Sequence, residues 1–453
     1  MDSPKPHETV PKRIHHVSLT KPNAVAVYSK ERGGAYVALR FAELWADVRA
    51  LGVAFLEMGV ERGEHVGVMS DNRRAWIVTD LALLSLGAVD VPRGSDSTAD
   101  EMGYILAHAD CRLTFAENPA QLDKILSQKP RLPKLEMVVV FEGEDVEHDS
   151  TRDGVVVKHF ERILSRGHEL VSDRGSDFDG ELEKGQSDDL ATLLYTSGTT
   201  GEPKGVMLTH RSFIFQIDRL RDVLFIDDRD IFLSVLPIWH SFERAVEYVV
   251  LERACALAYS KPIGSIMLAD MAEIRPTWMT SVPRIWEGVR SAVYRNVSKQ
   301  SPMKRVLFHI FVRIGEAHTS LVNMFRGLLP DFSPRNRVID IALSIVPLIV
   351  LAPFKALGDV LVFKSLKQRL GGRFVAGVSG GGALPPYVDR FFGAAGIKLL
   401  EGYGLTETGP VLAVRHQHRP VPGTVGRLLP DIDYRVLDEN MEVLPAGRKG
   451  VLY

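Results

Sequence analysis

The sequence predicts an α/β protein built from parallel βαβ units, and three observations carry that reading. Short apolar runs alternate with amphipathic stretches of helical length from about residue 41 onward. The intervals between those runs are too long for hairpins and suit crossover helices. The length, 453 residues with 45% apolar and 25% charged side chains, allows about three lobes at roughly 150 residues each.

The first lobe is read as residues 1–189. Phe41, Leu44, Trp45, Val48, Leu51, Phe55 and Met58 recur at helical spacing, and Gly59 can end that helix. Residues 65–70 (HVGVMS) form a strand, 73–87 a helix ending in glycine, 88–92 a strand, 100–108 a helix and 112–117 a strand. Residues 142–189 are charged, rich in Gly, Ser and Asp and weakly periodic, which reads as an acidic linker or surface excursion. The second lobe, 190–409, resumes the alternation, with a helical insertion at 284–370. From 410 to 453 short strands and turn residues replace the helical period, with Asp438–Asn440 as a turn. The sequence stops inside what reads as a strand, so a truncated β-rich subdomain is expected there.

Net charge is −2, which gives no basic field for nucleic acid. Two distant cysteines, Cys111 and Cys255, fit no metal or redox spacing and suit a reducing, cytoplasmic setting. The polar N-terminus lacks the apolar core of a secretory signal. Residues 341–354 (IALSIVPLIVLAPF) carry no charge. That run is shorter than the ~20 residues a bilayer span needs, and Pro347 and Pro353 interrupt it. It reads as a buried helix or apolar hairpin, or as a peripheral surface touching lipid without spanning.

Four motifs carry the chemistry. In LLYTSGTTGEPKGVMLTH (193–210), Thr196, Ser197, Gly198, Thr199, Thr200 and Gly201 precede Lys204. Small residues let backbone N–H groups converge on an anion, and the hydroxyls and the lysine add donors and charge. The string is not a Walker loop: Pro203 stands where its second glycine belongs, Gly205 follows the lysine, and a strand rather than a helix comes next. The alternative is a flexible turn. GVSGG (377–381) matches the nucleophile elbow of hydrolases, with Glu401 or Glu407 and His416 or His418 downstream, but Pro385–Pro386 delay the helix an elbow requires. EGYGLTETGP (401–410) ends a strand with Tyr403, Thr406 and Glu407, types that can stack on a base, reach a phosphate and hold Mg²⁺. LPIWHSFERAVEY (236–248) places His240 and Glu243 after another strand, too few ligands for a metal site.

Together these strings, with VSGGGALP (378–385) and GTVGRLLP (423–430), occur in the order of the adenylate-forming superfamily. They most resemble long-chain fatty acyl-CoA synthetases. The resemblance implies two parallel-rich sheets flanked by helices, followed by a partial C-terminal β-barrel subdomain. It implies that a fatty-acid carboxylate attacks the α-phosphate of MgATP, and that CoA then displaces AMP. By the same resemblance, Thr196–Gly201 and Lys204 would hold the β- and γ-phosphates. Gly380, Gly381, Gly382 and Ala383 would line the adenine and acyl region. Tyr403 and Gly404 would lie at adenine, Thr406 at the α-phosphate, and Glu407, with Thr196, at Mg²⁺. His240 would lie near the substrate carboxylate. The family's ribose-binding aspartate and its C-terminal lysine have no counterpart here, so weak ATP binding with little complete turnover is expected. Alternatives are a ligase passing the acyl group to a carrier protein, and a non-catalytic ATP- or lipid-binding module. An oligomer is compatible with either.

Overall fold

The computed structural model describes residues 8–30, 34–143, 149–196, 202–330 and 335–453. The chain forms two compact units. One comprises residues 1–221, 226–280 and 405–410, the other 222–225, 281–404 and 411–453.

The first unit is organised by an eight-stranded sheet. Its order is Lys204–Thr209, Leu190–Thr196, Val89–Arg93, His65–Met69, Leu113–Ala116, Met137–Val140, Val155–His159, Ser150–Arg152. The inner pairs are parallel and the two outermost antiparallel. The inner strands are mostly buried, with Val66, Val91, Leu113 and Val138 at 0–1% exposure, as expected of parallel strands covered on both faces. The helix Arg74–Leu86 returns the chain between two of them and ends at Gly87, whose φ of 70° is the left-handed cap conformation. A further parallel run holds Ile231–Ser234, Ala256–Tyr259 and Val25–Lys30, edged by antiparallel Tyr36–Arg40.

In the second unit, Ala376–Ser379 pairs in parallel with Lys398–Gly404, which pairs antiparallel with Val411–Val414 and through it with Arg427–Leu428. Val436–Leu437 and Val451–Leu452 form a separate short ladder. The insertion is helical: Pro283–Ser298, Pro302–Arg326, Arg337–Gly358, a π turn at Asp359–Phe363 and Lys364–Arg369.

Two local readings change. Residues 142–189 are not chiefly a linker, because Phe160–Lys184 is a 25-residue helix packed along Phe41–Glu57. Glycines on both helices serve the packing. A Cβ on Gly167 would lie 2.0 Å from the Ala50 carbonyl oxygen, and one on Gly52 would lie 2.3 Å from the Phe178 ring. The run 341–354 is neither a buried helix nor interrupted. It lies within the continuous helix Arg337–Gly358, which passes through Pro347 and Pro353 and is mostly exposed.

Candidate active site

In the first unit the glycine- and threonine-rich segment connects two antiparallel strands, with Thr196 and Lys204 directly opposed in register. They form the mouth of a hairpin. Ser197, Gly198, Thr199, Thr200 and Gly201 lie outside the described residues. The strands beside the mouth are held from behind. Arg93 donates to the Tyr195 carbonyl (3.2 Å), Tyr104 donates to the Pro203 carbonyl (3.2 Å), and the Tyr195 hydroxyl meets His108 Nδ1 (2.7 Å).

The Thr406–Thr408 turn lies against the Lys204–Thr209 strand. Gly409 closes it with φ 78°, where a Cβ would stand 3.3 Å from Ser212 Cβ. Thr406 Oγ1 accepts a hydrogen bond from Ser241 Oγ at 3.2 Å. Ser241 opens the helix Ser241–Glu252, whose cap is His240: its Nδ1 accepts from Phe242 N at 3.4 Å. Thr196, Lys204, Thr406, Glu407 and His240 therefore belong to neighbouring segments of one unit. Lys204 and Glu407 are exposed, and among the described residues neither makes an ion pair. Desolvation, and secondarily the Arg93 charge, hold the His240 pKa below the ordinary imidazole value. The ring is thus neutral at pH 7 and can share a hydrogen bond with a carboxylate.

In the second unit, Gly380–Ala383 and Tyr403–Gly404 sit at the carboxyl ends of adjacent parallel strands, with Ser379 opposite Glu401 in register. This is where open α/β sheets receive ligands. Gly380 N donates to the Ser281 carbonyl (3.0 Å), and Gly381 takes φ 73°. Leu384 N donates to Glu401 Oε1 (2.9 Å), while Arg415, 1% exposed, holds Glu401 Oε2 (2.7 Å) and Asp389 (2.8 Å). Tyr403 presents its ring at 39% exposure. Ser379 is fully buried, its hydroxyl has no hydrogen-bond partner among the described residues, and the next helix begins only at Pro386. The hydrolase pattern is therefore a coincidence of spacing.

The sequence profile of the AMP-binding enzyme family matches residues 14–453. The chain belongs to the AMP-binding enzymes. Among curated relatives it is 32% identical over 404 residues to a probable acyl-activating enzyme, chloroplastic, of Arabidopsis thaliana, covering 87% of this chain and 56% of the relative. It is 30% identical over 423 residues to a chloroplastic long-chain-fatty-acid–[acyl-carrier-protein] ligase of the same plant, covering 91% and 58%. It is 26% identical to a long-chain-fatty-acid–CoA ligase of Mycobacterium tuberculosis, covering 99% and 68%. The chain thus spans little more than half the length of the first two. Its fold is shared with an anthranilate CoA ligase solved with anthranoyl-AMP (TM-score 0.70, 17% identity, covering 100% of this chain and 71% of that one). It is also shared with a long-chain-fatty-acid-CoA ligase from Archaeoglobus fulgidus (0.67, 16%, covering 99% and 74%).

Sequence reasoning missed what holds the His240 helix of this AMP-binding enzyme in place. Arg244, fully buried, bonds Asp80 and Asp90 (2.9 Å) and donates to the Tyr248 hydroxyl (2.7 Å), which donates to Asp80 (2.7 Å). Burial drives both aspartate pKa values up, and the guanidinium opposes the shift. One turn along, Glu247 accepts from Ser234 and Tyr259 (2.9 Å each), with Glu243 buried beside it. Desolvation pushes Glu243 up to about 7, against hydrogen bonds from Ser234 and Thr280, and raises Glu247 further. The signal was available: SFERAVEY sets Glu243, Arg244 and Glu247 among apolar residues at the start of a helix.

Proposed function

We propose that this chain carries the adenylation site of a long-chain fatty-acid ligase. A carboxylate oxygen of the fatty acid attacks the α-phosphorus of ATP. The bond to pyrophosphate breaks, and an acyl adenylate forms. A thiol then attacks the acyl carbon and releases AMP. The observation that carries the reading is the hairpin mouth of Thr196 and Lys204 beside a turn whose Thr406 is bonded to the His240 helix.

Lys204 supplies a positive charge for the outer phosphates, and Thr406 a hydroxyl for the α-phosphate. No cluster of three metal-binding side chains exists among the described residues. That fits Mg²⁺, which usually takes one or two carboxylates and completes its shell with phosphate oxygens and water. Glu407, with the Thr196 hydroxyl, would hold it, and the ion would neutralise charge developing on the phosphates. The protein's own work is to hold the reactants in line and to stabilise that charge. Tyr403 and Gly404, with Gly380–Ala383, at the carboxyl ends of adjacent strands in the second unit, are the residues that the motif strings assign to adenine.

The acceptor thiol has two candidates. CoA is the acceptor that the motif strings favour. Acyl carrier protein is the acceptor in the printed name of a relative at 30% identity, above the 26% of the mycobacterial CoA ligase. Mass spectrometry after incubation with MgATP, palmitate and either CoA or holo-acyl carrier protein separates them. Palmitoyl-CoA supports the first, and the acylated carrier supports the second. Palmitoyl-AMP alone places the chain at adenylation. MgATP bound without any acyl product sinks the catalytic reading and leaves a nucleotide- or lipid-binding module.

A further inference from the structure

We propose that the helix Arg337–Gly358 and its continuation to Arg369 form a docking surface for an anionic lipid bilayer, lying in the interface without crossing it. This goes beyond the adenylation reading and does not depend on it.

The helix packs one side against Pro302–Arg326. Gly358 permits the close approach, since a Cβ there would lie 2.9 Å from the Phe311 ring. Arg337 fastens the other end by donating to the Met324 and Phe325 carbonyls at 2.8 Å. Asp340, Ser344 and Gly358 face inward and are buried. The remaining face is apolar and uncovered: Val338 is 74% exposed, Val346 66%, Ile349 69%, Leu343 62% and Val350 56%. At 100° per residue these fall within about half of the helix circumference. The neighbouring helix adds exposed Val306 and Ile310 beside the Phe311 end.

The charges choose the occupant. Residues 335–369 hold six basic residues and two acids, a net of +4. Both acids are engaged by residues of the same stretch: Asp340 with Arg335, and Asp359 with Lys355 and Lys367. The basic residues lie toward the two ends of the uncharged run, Arg335 and Arg337 before it and Lys355, Lys364, Lys367 and Arg369 after it. That pattern suits an anionic headgroup layer. A second copy of the chain would bring equal positive charge to the same face. Depth follows from the prolines. Pro347 and Pro353 have no N–H, so the Leu343 and Ile349 carbonyls lack their helical donors on the exposed face. Such groups are costly in hydrocarbon and satisfied at the hydrated interface.

The test is flotation of the full chain with phosphatidylcholine vesicles, with and without about one third phosphatidylglycerol. Wild type is expected to float with the anionic vesicles. The Val346→Glu/Ile349→Glu variant should lose about tenfold or more of that binding. Lys364→Ala/Arg369→Ala should lose about fivefold per residue on anionic vesicles and nothing on neutral ones. Cys111 and Cys255 are buried, so an environment-sensitive dye on Ile349→Cys reports the same contact without disturbing the fold, and its emission should shift to the blue with anionic vesicles. Wild type that stays with the unbound fraction, a double-glutamate variant that floats like wild type, or an unshifted dye each overturns the proposal. So does a lipid-free dimer that the double-glutamate change dissolves, which would assign the face to a second copy.

Discussion

Replacing Arg244 with methionine keeps the length of the side chain and removes its charge. In the structure this guanidinium is fully buried and bonds two aspartates at 1% and 0% exposure together with the Tyr248 hydroxyl. The variant leaves Asp80 and Asp90 in a dry site, charged and unpaired or forced to take up protons. Breaking a buried pair by removing one partner costs about 3–5 kcal/mol. At about 2 °C per kcal/mol for a unit of this size, calorimetry should show the transition falling by about 6–10 °C at pH 8. The pH dependence has a definite sign. Both carboxyls have pKa values raised by burial, so in the folded variant they bind protons that the unfolded chain has released. Stability then falls as pH rises above the ordinary carboxylate range, and the deficit against wild type should be smaller at pH 5.5 than at pH 8. A melting point within a degree of wild type, or a deficit that grows toward acid, would refute the reasoning. The same variant should impair the proposed adenylation, because Arg244 anchors the helix that carries His240 and Ser241.

Three further outcomes follow from the same geometry. Burial pushes the Glu243 carboxyl up to about 7, so wild-type stability should decline between about pH 4.5 and 7, by up to about 1.4 kcal/mol per pH unit. Glu243→Gln should flatten that slope in thermal scans, and an unchanged slope would count against a buried protonated pair. Ser241→Ala removes the bond to Thr406, worth about 0.5–1.5 kcal/mol, and should slow the proposed adenylation by about two- to tenfold in single-turnover assays while lowering the melting point by no more than about 1–3 °C. Gly377→Ala would put a Cβ 2.2 Å from the Trp286 ring. Such overpacking costs about 1–3 kcal/mol, and a urea midpoint equal to wild type would argue against the packing described.

Much of the fold was legible in the sequence where periodicity and caps agree. The helices Phe41–Glu57 and Arg74–Leu86 and the strand-after-loop order around Lys204 emerge as expected. Sheet membership was not legible: Leu190–Thr196 joins Val89–Arg93, and Val25–Lys30 joins Ala256–Tyr259, pairings set by tertiary packing. The Phe160–Lys184 helix was hidden because Gly167 and Gly175 read as breakers, whereas they allow close crossings against Ala50 and Arg49. The prolines at 347 and 353 misled similarly, since an exposed helix can leave the freed carbonyls to solvent. At the candidate site, the residue types were legible as motifs. The bond joining Ser241 to Thr406 and the Arg244 network behind it were not, because both connect segments more than 150 residues apart.

Lys204 and Glu407 are proposed to serve one nucleotide site. Equilibrium binding of MgATP to the wild-type chain and to Lys204→Ala and Glu407→Ala tests it most directly. A lost charge-assisted contact is worth about 1.5–3 kcal/mol, so each variant should bind about 10- to 100-fold more weakly. MgATP affinity unchanged in both variants would contradict the account.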